Sequence, residues 1–543
     1  MKVLSSAEMR ACDCATVEQF GVRSLDLMQA ASAAVAEFAQ SHFPRARRIT
    51  VLCGCGNNGG DGMIAARLLA EAGLQVNALL LGEPSKLAGD AAAAWRILTS
   101  APHVLIHVVA SASELEFHRQ DFKADLILDA LVGTGFKPPL RDLPLAAAEM
   151  ARAGGAPVLA VDLPSGWPAD ETSAVFAGPV CPADAVVTFT APKLAHVFGH
   201  LTRSWDQPVV VAPIGSPAEA IGSSLDLHWA GASLALVQQP RDIASNKGNF
   251  GHVLVVGGSF GTAGGKAGAP AMVGMGALRA GAGLVTAAVP EPALASVGWI
   301  APELMTWPLA ATAEGCIRPQ QLNPELLKGK TVLAIGPGLG QAGETADFLF
   351  DLLAQTRMPA VLDADALNMI AARPELLPRI AEGRTVVITP HPGEMARLAG
   401  ISTAEVQANR LGCARGFAER RGVTVVLKGA RTVVAHPGGR AAVSTSGNPG
   451  MAKGGSGDLL TGIVAGLLAQ HPQDPARAVE AAVYLHGLAA DMAVREADEH
   501  TLLATDSLGY LARAFQYADF RFGKDGASRY VWLQGAGARR AAS

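Results

Sequence analysis

At 543 residues the chain exceeds one ordinary core, and about 150 residues per domain allows two large α/β units. Half of it is hydrophobic and 17% is charged, with 44 basic against 48 acidic residues and a formal net charge of −4. These values exclude a mostly disordered chain and give no reason to expect a nucleic-acid partner.

No apolar run approaches the ~20 residues a bilayer crossing requires. The first residues, Met-Lys-Val-Leu-Ser-Ser-Ala-Glu, carry no apolar signal core, so a cytoplasmic protein without membrane contact is expected. Seven cysteines, none in a C-x-x-C pair, read as reduced thiols rather than a zinc set.

In chain order, an Ala-rich helical pattern (Ser24–Ser41) precedes a series of short apolar runs, each ending in a polar loop. Ile49–Cys53 leads into Gly54-Cys-Gly56-Asn57-Asn58-Gly59-Gly60-Asp61-Gly62. Leu126–Leu128 leads into Asp129, Val158–Val161 into Asp162-Leu-Pro-Ser165-Gly, and Val186–Phe189 into Thr-Ala-Pro-Lys193. Strands alternating with helices, such as Met63–Ala72, predict a parallel sheet covered on both faces, with ligands beyond its carboxyl ends. Residues 216–235, rich in Pro, Gly, Ser and Ala, read as a linker between a domain at 1–215 and another at 236–515. The second domain is expected to carry strands at His252–Val256, Leu284–Val289, Val332–Ile335, Ala360–Leu362, Val386–Ile388 and Val423–Leu427, and a long apolar helix from Asp458. Residues 516–543 read as an unstructured tail.

G-x-G-x-x-G occurs at Gly54–Gly59 and at Gly338–Gly343, but roughly 0.7 such matches arise by chance in so glycine-rich a chain. Neither match is followed by an acid at the end of the next strand, which weakens a dinucleotide redox reading without closing it. The flanks say more. Asn57, Asn58 and Asp61, with Asp129 and Asp162 at two later strand ends, form an oxygen-rich set suited to an alkali or alkaline-earth cation. Taken singly, such residues are ordinary turn formers.

In the second half, Asn448-Pro-Gly-Met-Ala-Lys-Gly454-Gly-Ser-Gly457-Asp458 precedes an apolar helix and makes an anion cradle. Asp458 is either a helix cap or a base beside a phosphate. Lys428-Gly429-Ala430-Arg431-Thr432 follows a strand and is placed to contact a nucleotide. His391, in Thr-Pro-His391-Pro-Gly-Glu394, sits in a rigid strand-end loop where it is either structural or functional.

Together these strings resemble a known family. Asn57–Gly62, Asp129 with Gly133-Thr134-Gly135-Phe136, and Asp162-Leu-Pro-Ser165-Gly are similar to the NAD(P)H-hydrate epimerase domain. Gly257-Gly-Ser, Gly336-Pro-Gly338-Leu-Gly, His391-Pro-Gly-Glu, Lys428-Gly and Gly454–Asp458 are similar to the ADP-dependent NAD(P)H-hydrate dehydratase domain. The resemblance spans about residues 1–515 and points to bifunctional NAD(P)H-hydrate repair enzymes.

It implies a Rossmann-like three-layer α/β/α domain followed by a ribokinase-like α/β domain. The implied function interconverts R and S NAD(P)H hydrates and dehydrates the S form back to NAD(P)H, with ADP giving AMP and phosphate. Carried over by position, Asn58, Asp129 and Ser165 are expected to hold K⁺. Asn57, Asn58, Gly59, Gly60 and Asp61, with Gly133, Thr134, Gly135, Phe136, Lys137, Pro138, Pro139 and Asp162, are expected to line the epimerase pocket. Asp162 is the expected epimerase base, with Lys193 in reserve. Ala269, Gly338, His391 and Asp458 are expected to meet the hydrate in the second domain, and Lys428, Gly429, Ala430, Arg431, Thr432 and Gly457 the nucleotide. Asp458 is the expected base. ADP with Mg²⁺ as co-substrate and a homo-oligomeric assembly complete the expectation. The loop Ser259–Pro270 is longer than the family's, and a ribokinase-fold small-molecule kinase with a non-catalytic first domain is the alternative.

Overall fold

A computed structural model describes residues 1–261, 264–517 and 530–535. The chain divides into two compact units, one of residues 1–227 with 518–543, the other of 228–517.

The first unit is built on strands β1 (Arg48–Cys53), β2 (Gln75–Leu81), β3 (Val104–Val109), β4 (Leu126–Ala130), β5 (Val158–Val161), β6 (Ala185–Phe189) and β7 (Val209–Ala212). They are parallel, in the order 7-6-5-4-1-2-3. Central strands such as β4 and β5 are buried at every position, as expected where helices cover both faces. The strand order reverses between β1 and β4, so the loops after these two strands part and leave a crevice.

The tail expected to be unstructured contributes to this sheet: Val531–Gln534 pairs antiparallel with β7. Its apolar sequence, Val-Trp-Leu-Gln, is buried throughout. The rest of the tail beyond Tyr517 lies outside the described residues.

The second unit begins inside the stretch expected to be a linker, with β8 (Leu227–Trp229). β9 (His252–Val256) is followed by a two-residue hairpin of β10 (Phe260–Gly261) and β11 (Gly264–Gly265), which accommodates the long loop. Then come β12 (Leu284–Pro290), β13 (Met305–Leu309), β14 (Val332–Ile335), β15 (Ala360–Leu362), β16 (Val386–Ile388), β17 (Thr424–Leu427), β18 (Val433–Ala435) and β19 (Ala441–Val443). The large sheet has the order 13-12-9-14-15-16-17-18-19-8, parallel from β13 to β17 and antiparallel from β17 to β19. Its crevice opens between β9 and β14. No helix among the described residues is long and apolar enough to cross a membrane.

A buried ion cluster joins the antiparallel end of this sheet to the helix Pro475–Val494. Arg440 grips the fully buried Glu480 with both arms, at 2.8 and 2.9 Å, and His436 lies 3.4 Å away. Burial pushes the Glu480 carboxyl up, but hydrogen bonds from His436, Arg440 and Ser233 outweigh it and bring the group from 4.5 to about 2. A lowered folded-state value stabilises the fold above the unfolded value and is lost as pH falls through the folded one. Urea unfolding should therefore show a loss of stability between pH 4.5 and 2. Glu480→Gln should cost about 3 kcal/mol at pH 7 and flatten that limb.

Candidate active sites

In the first unit, the loop after β1 turns at once into the helix Asn57–Glu71, whose cap residue Gly56 supplies no side-chain acceptor. The first-turn N–H groups are thus open to an anionic ligand. The glycines here serve close packing. A Cβ on Gly54 would stand 2.0 Å from the Leu131 carbonyl oxygen, and one on Gly59 1.9 Å from the Gly54 carbonyl oxygen. Helix and strand ends therefore approach with only backbone between them.

A cavity of about 850 Å³ opens at this end of the sheet. Asn57, Asn58, Asp61, Gly133, Thr134, Gly135, Phe136 and Asp162 line it, as expected from sequence. Gly59 and Gly60 are buried behind the lining, and Lys137, Pro138 and Pro139 are exposed outside it. The two glycines shape the wall, and Lys137, Pro138 and Pro139 continue past the mouth.

At the end of β4 the fully buried Asp129 accepts from the Ser165 hydroxyl at 2.6 Å and from its N–H at 2.8 Å. Burial raises the Asp129 carboxyl above its usual range, against these hydrogen bonds. Among the described residues the Asn58 amide nitrogen is buried with no hydrogen-bond partner. Gly133 abuts that side chain, 3.1 Å from where its own Cβ would be.

Facing this set is Asp162, a non-glycine residue at φ +67°, a conformation of the kind that collects at functional sites. Its Oδ1 accepts from the buried Lys193 Nζ at 2.8 Å and from Thr188 Oγ1 at 2.7 Å, and its Oδ2 accepts from the Thr134 N–H at 3.3 Å. His196 Nδ1 accepts from the Lys193 N–H, so its Nε2 is the donor to the Asp162 carbonyl at 2.7 Å. Burial, then the Lys193 charge, lowers the imidazole to about 4 and keeps it neutral. Burial pushes Asp162 up, but Lys193, His196 and Thr188 hold it below the usual carboxylate range.

Two further carboxyls complete the cavity. Burial raises Asp61 well above its ordinary range, reinforced by Asp162 and Asp13. Burial raises Asp13 to about 6, opposed by Lys193 and reinforced by Asp162. Asp13 was missed in the sequence because no glycine loop flags it. It shares the lining with Met9, Arg10, Cys14 and Val17 of the helix Ser6–Glu18, and that 3–4 spacing was the available signal.

In the second unit the site lies where the loops after β9, β14, β15, β16 and β17 meet. The Cβ position of Gly338 is 3.3 Å from the Ala269 Cβ and 3.0 Å from the Lys266 Cβ, so the two residues expected to meet the hydrate are neighbours. His391 caps the helix Pro392–Ala399, its Nδ1 accepting from the Gly393 and Glu394 N–H groups, and its exposed Nε2 lies 3.5 Å from Glu394.

Sequence reading passed over Asp363 and Asp365, which follow β15 without a glycine or histidine to mark them. The intervening Ala364 is held at φ +51°. Asp363 is 1% exposed and accepts from Lys428 Nζ at 2.9 Å and Thr461 Oγ1 at 2.8 Å. Asp365 accepts from the Gly340 N–H at 2.9 Å and the Gln341 amide at 3.0 Å, with Lys266 Nζ at 3.4 Å. Asp458 stands in the first turn of the helix Ser456–Gln470. Burial, then the Asp363 charge, raises its carboxyl to about 7 against the pull of Lys428 and Lys266.

Gly429 and Ala430 are exposed at the strand end, and Thr432 Oγ1 donates to the Gly429 carbonyl. Arg431 departs from expectation: it is 7% exposed and donates to the Thr445 carbonyl at 3.2 Å, holding the segment from within. Arg410 was also missed; it donates to the Leu427 and Lys428 carbonyls at 3.0 and 3.2 Å and fixes the same strand end.

A Cβ on Gly457 would lie 3.3 Å from Lys428 Nζ and 3.7 Å from Asp363 Oδ2. Alanine in a helix is intrinsically favoured over glycine by about 1 kcal/mol, yet here it presses on the ammonium. Gly457→Ala should leave the melting temperature unchanged or raised while increasing KM for the nucleotide about tenfold. Melting curves and saturation kinetics on one preparation check both.

Each half of the chain matches a known family. Residues 24–195 match a family model described as YjeF-related protein N-terminus, and residues 253–513 one described as NAD(P)H-hydrate dehydratase. The bifunctional NAD(P)H-hydrate repair enzyme of Moorella thermoacetica is 40% identical over 94% of this chain and 96% of its own. That of Escherichia coli is 37% identical over 91% of this chain and 90% of its own. The ADP/ATP-dependent NAD(P)H-hydrate dehydratase of Bacillus subtilis, co-crystallised with ATP/Mg²⁺, is 31% identical over 52% of this chain and 96% of its own, with a TM-score of 0.43. With likeness over nearly its whole length and two family models in the same order, the chain belongs to the bifunctional NAD(P)H-hydrate repair enzyme family.

Proposed function

We propose that the first unit epimerises NAD(P)H hydrates and that the second dehydrates the S epimer with ADP, releasing AMP and phosphate. The observation that carries the reading is the buried group of Asp458, Asp363 and Lys428 at the start of a glycine-flanked helix. A carboxyl of such proton affinity beside free first-turn amides suits a base next to a bound phosphate, which supports the reading.

Hydration of a dihydropyridine, an enamine, puts the hydroxyl on the ring carbon next to nitrogen. Hydroxide leaves poorly. Asp458 takes the hydroxyl proton as its oxygen bonds the β-phosphorus of ADP, and the bond from that phosphorus to the bridging oxygen breaks to free AMP. The first-turn amides and Lys428 oppose the charge that develops on the phosphoryl oxygens. Phosphate then departs with the carbon–oxygen bond pair, the ring nitrogen supplies electrons, and loss of a proton from the neighbouring carbon restores NAD(P)H. Ala269, Gly338 and His391 hold the hydrate, and Lys428–Thr432 with Gly457 the nucleotide, which enters with Mg²⁺ as its complex. Arg431 acts there from behind.

In the first unit the same carbon loses and regains its hydroxyl through the nitrogen-stabilised cation. Departure needs a proton donor and return of water needs an acceptor. Asp162 serves as the acceptor, oriented by Lys193 and Thr188. The Asp129 carboxylate, the Ser165 hydroxyl and the Asn58 amide, turned so that its oxygen faces inward, form an all-oxygen set that fits K⁺. Bound there, K⁺ supplies a fixed positive charge beside the substrate.

Purified R hydrate incubated without nucleotide tests this half. Chromatography should show conversion to an R/S mixture, faster in potassium than in tetramethylammonium salt. An unchanged R peak in both salts would make the first unit a binding module.

A further inference from the structure

We propose that Asp363 is a positioning residue of the dehydratase site: its carboxylate locks Lys428 and Thr461 beside Asp458 and keeps the ammonium from closing on the base. The proposal rests on the role given to Asp458 above and adds what surrounds it. Lys428 donates to one Asp363 oxygen at 2.9 Å, and Thr461, one turn beyond Asp458 on the same helix, donates to the other at 2.8 Å. The backbone of Asp363 is itself fixed, its N–H donating to the Ile335 carbonyl at 3.1 Å at the end of the neighbouring strand. Gly457 leaves the gap in which Lys428 and Asp363 meet, since a Cβ there would stand 3.3 Å from Lys428 Nζ and 3.7 Å from Asp363 Oδ2.

The charged groups acting on Asp458 are Asp363 and Asp365 after β15, Lys428 after β17 and Lys266 after β9. Glu394, from the helix Pro392–Ala399, raises the proton affinity of Lys428. The Lys428 charge in turn acts on the buried His486 of the helix Pro475–Val494. In that field Asp363 is, among the described residues, the one carboxylate that binds Lys428 directly. Remove its charge and the ammonium is left to the two other carboxylates that act on it, Glu394 and Asp458, and so turns more fully towards the base. An ion-paired carboxylate gives up proton affinity, so the base titrates at lower pH and pulls less strongly on the hydroxyl.

The test is the pH dependence of ADP-dependent dehydration of purified S hydrate, measured for the full-length chain. In Asp363→Asn, whose shape is conserved, the rising limb should move about one pH unit or more towards acid, with a lower plateau rate. Lys428→Met, which leaves Asp363 and Asp458 without their cation, should move the limb the opposite way. It provides a readout should Asp363→Asn fold poorly. A lower rate with the limb unmoved in either folded variant would overturn the proposal, since loss of packing alone does not shift a titration. Asp458→Asn separates the two ideas. If it is inactive while the other limbs stay put, only the role of Asp363 fails; if it retains the wild-type rate, the base assignment falls and the proposal with it.

Discussion

Asp458→Asn is expected to lower S-hydrate dehydration by about 10²–10⁴-fold, the usual contribution of a positioned base, while epimerisation stays at the wild-type rate. The substitution keeps shape and removes only the ability to take a proton. Asp458 is half-buried in the first turn of its helix, where a negative charge is favoured by the helix dipole. Burial and the Asp363 charge outweigh the dipole and raise the carboxyl to about 7, so losing the charge should not cost stability, and the variant should fold and bind nucleotide. The residues proposed for epimerisation, Asp162, Lys193 and the Asp129–Ser165 pair, all lie in the first unit. Single-turnover absorbance at saturating ADP, beside chromatography of the R/S ratio, measures both activities. Near wild-type dehydration would remove Asp458 as the base.

The second large effect is expected in the other unit. Lys193→Met removes the one cation that, among the described residues, is bonded to Asp162, a carboxylate whose side chain is 9% exposed, and leaves it among Thr188, His196 and Thr134 without that charge. Stranding a buried charge in this way costs about 3–5 kcal/mol. In the wild type Asp162 sits below its ordinary 3.8, so its contribution is present above that pH and lost as pH falls further. Without Lys193, burial is no longer offset and the carboxyl titrates upward, so the variant should recover stability on mild acidification where the wild type does not. Epimerisation should fall by at least about 10²-fold, and dehydration of pure S hydrate should persist wherever the chain stays folded. Melting curves between pH 5 and 8, run with both assays, check the set. Unchanged stability and epimerisation would show that the Lys193–Asp162 pair does not organise the cavity.

Much of the fold could be read in the sequence because both sheets are mostly parallel. Their inner strands are continuous apolar runs, such as Val158–Val161 and Val332–Ile335, ending in chemically distinctive loops. Strands without such a loop, or from the sheet margin, gave weaker signals. β8 lies in a Pro/Gly/Ser-rich stretch, β18 and β19 are three residues each, and Val531–Gln534 stands in an otherwise polar tail. Their identity depends on neighbours distant in sequence, which local pattern does not encode.

The same distinction holds at the sites. Asn58, Asp129, Asp162 and Asp458 stood out because they flank glycines or end strands. Asp13 and Asp363 stand in plain helical or strand-end contexts, and only the tertiary fold brings them beside Asp162 and Asp458. Arg431 stood out as a cation in a segment expected to contact a nucleotide, while its inward turn to the Thr445 carbonyl is set by the tertiary fold.

The most direct test of the two-site account is the recovery of near-ultraviolet NADH absorbance from a mixed R/S hydrate solution after enzyme and ADP are added. Complete recovery, with S consumed first and R following through it, is the predicted result. Recovery that stops at the S fraction would contradict the epimerase assignment. No recovery with ADP or ATP would contradict the repair function as a whole.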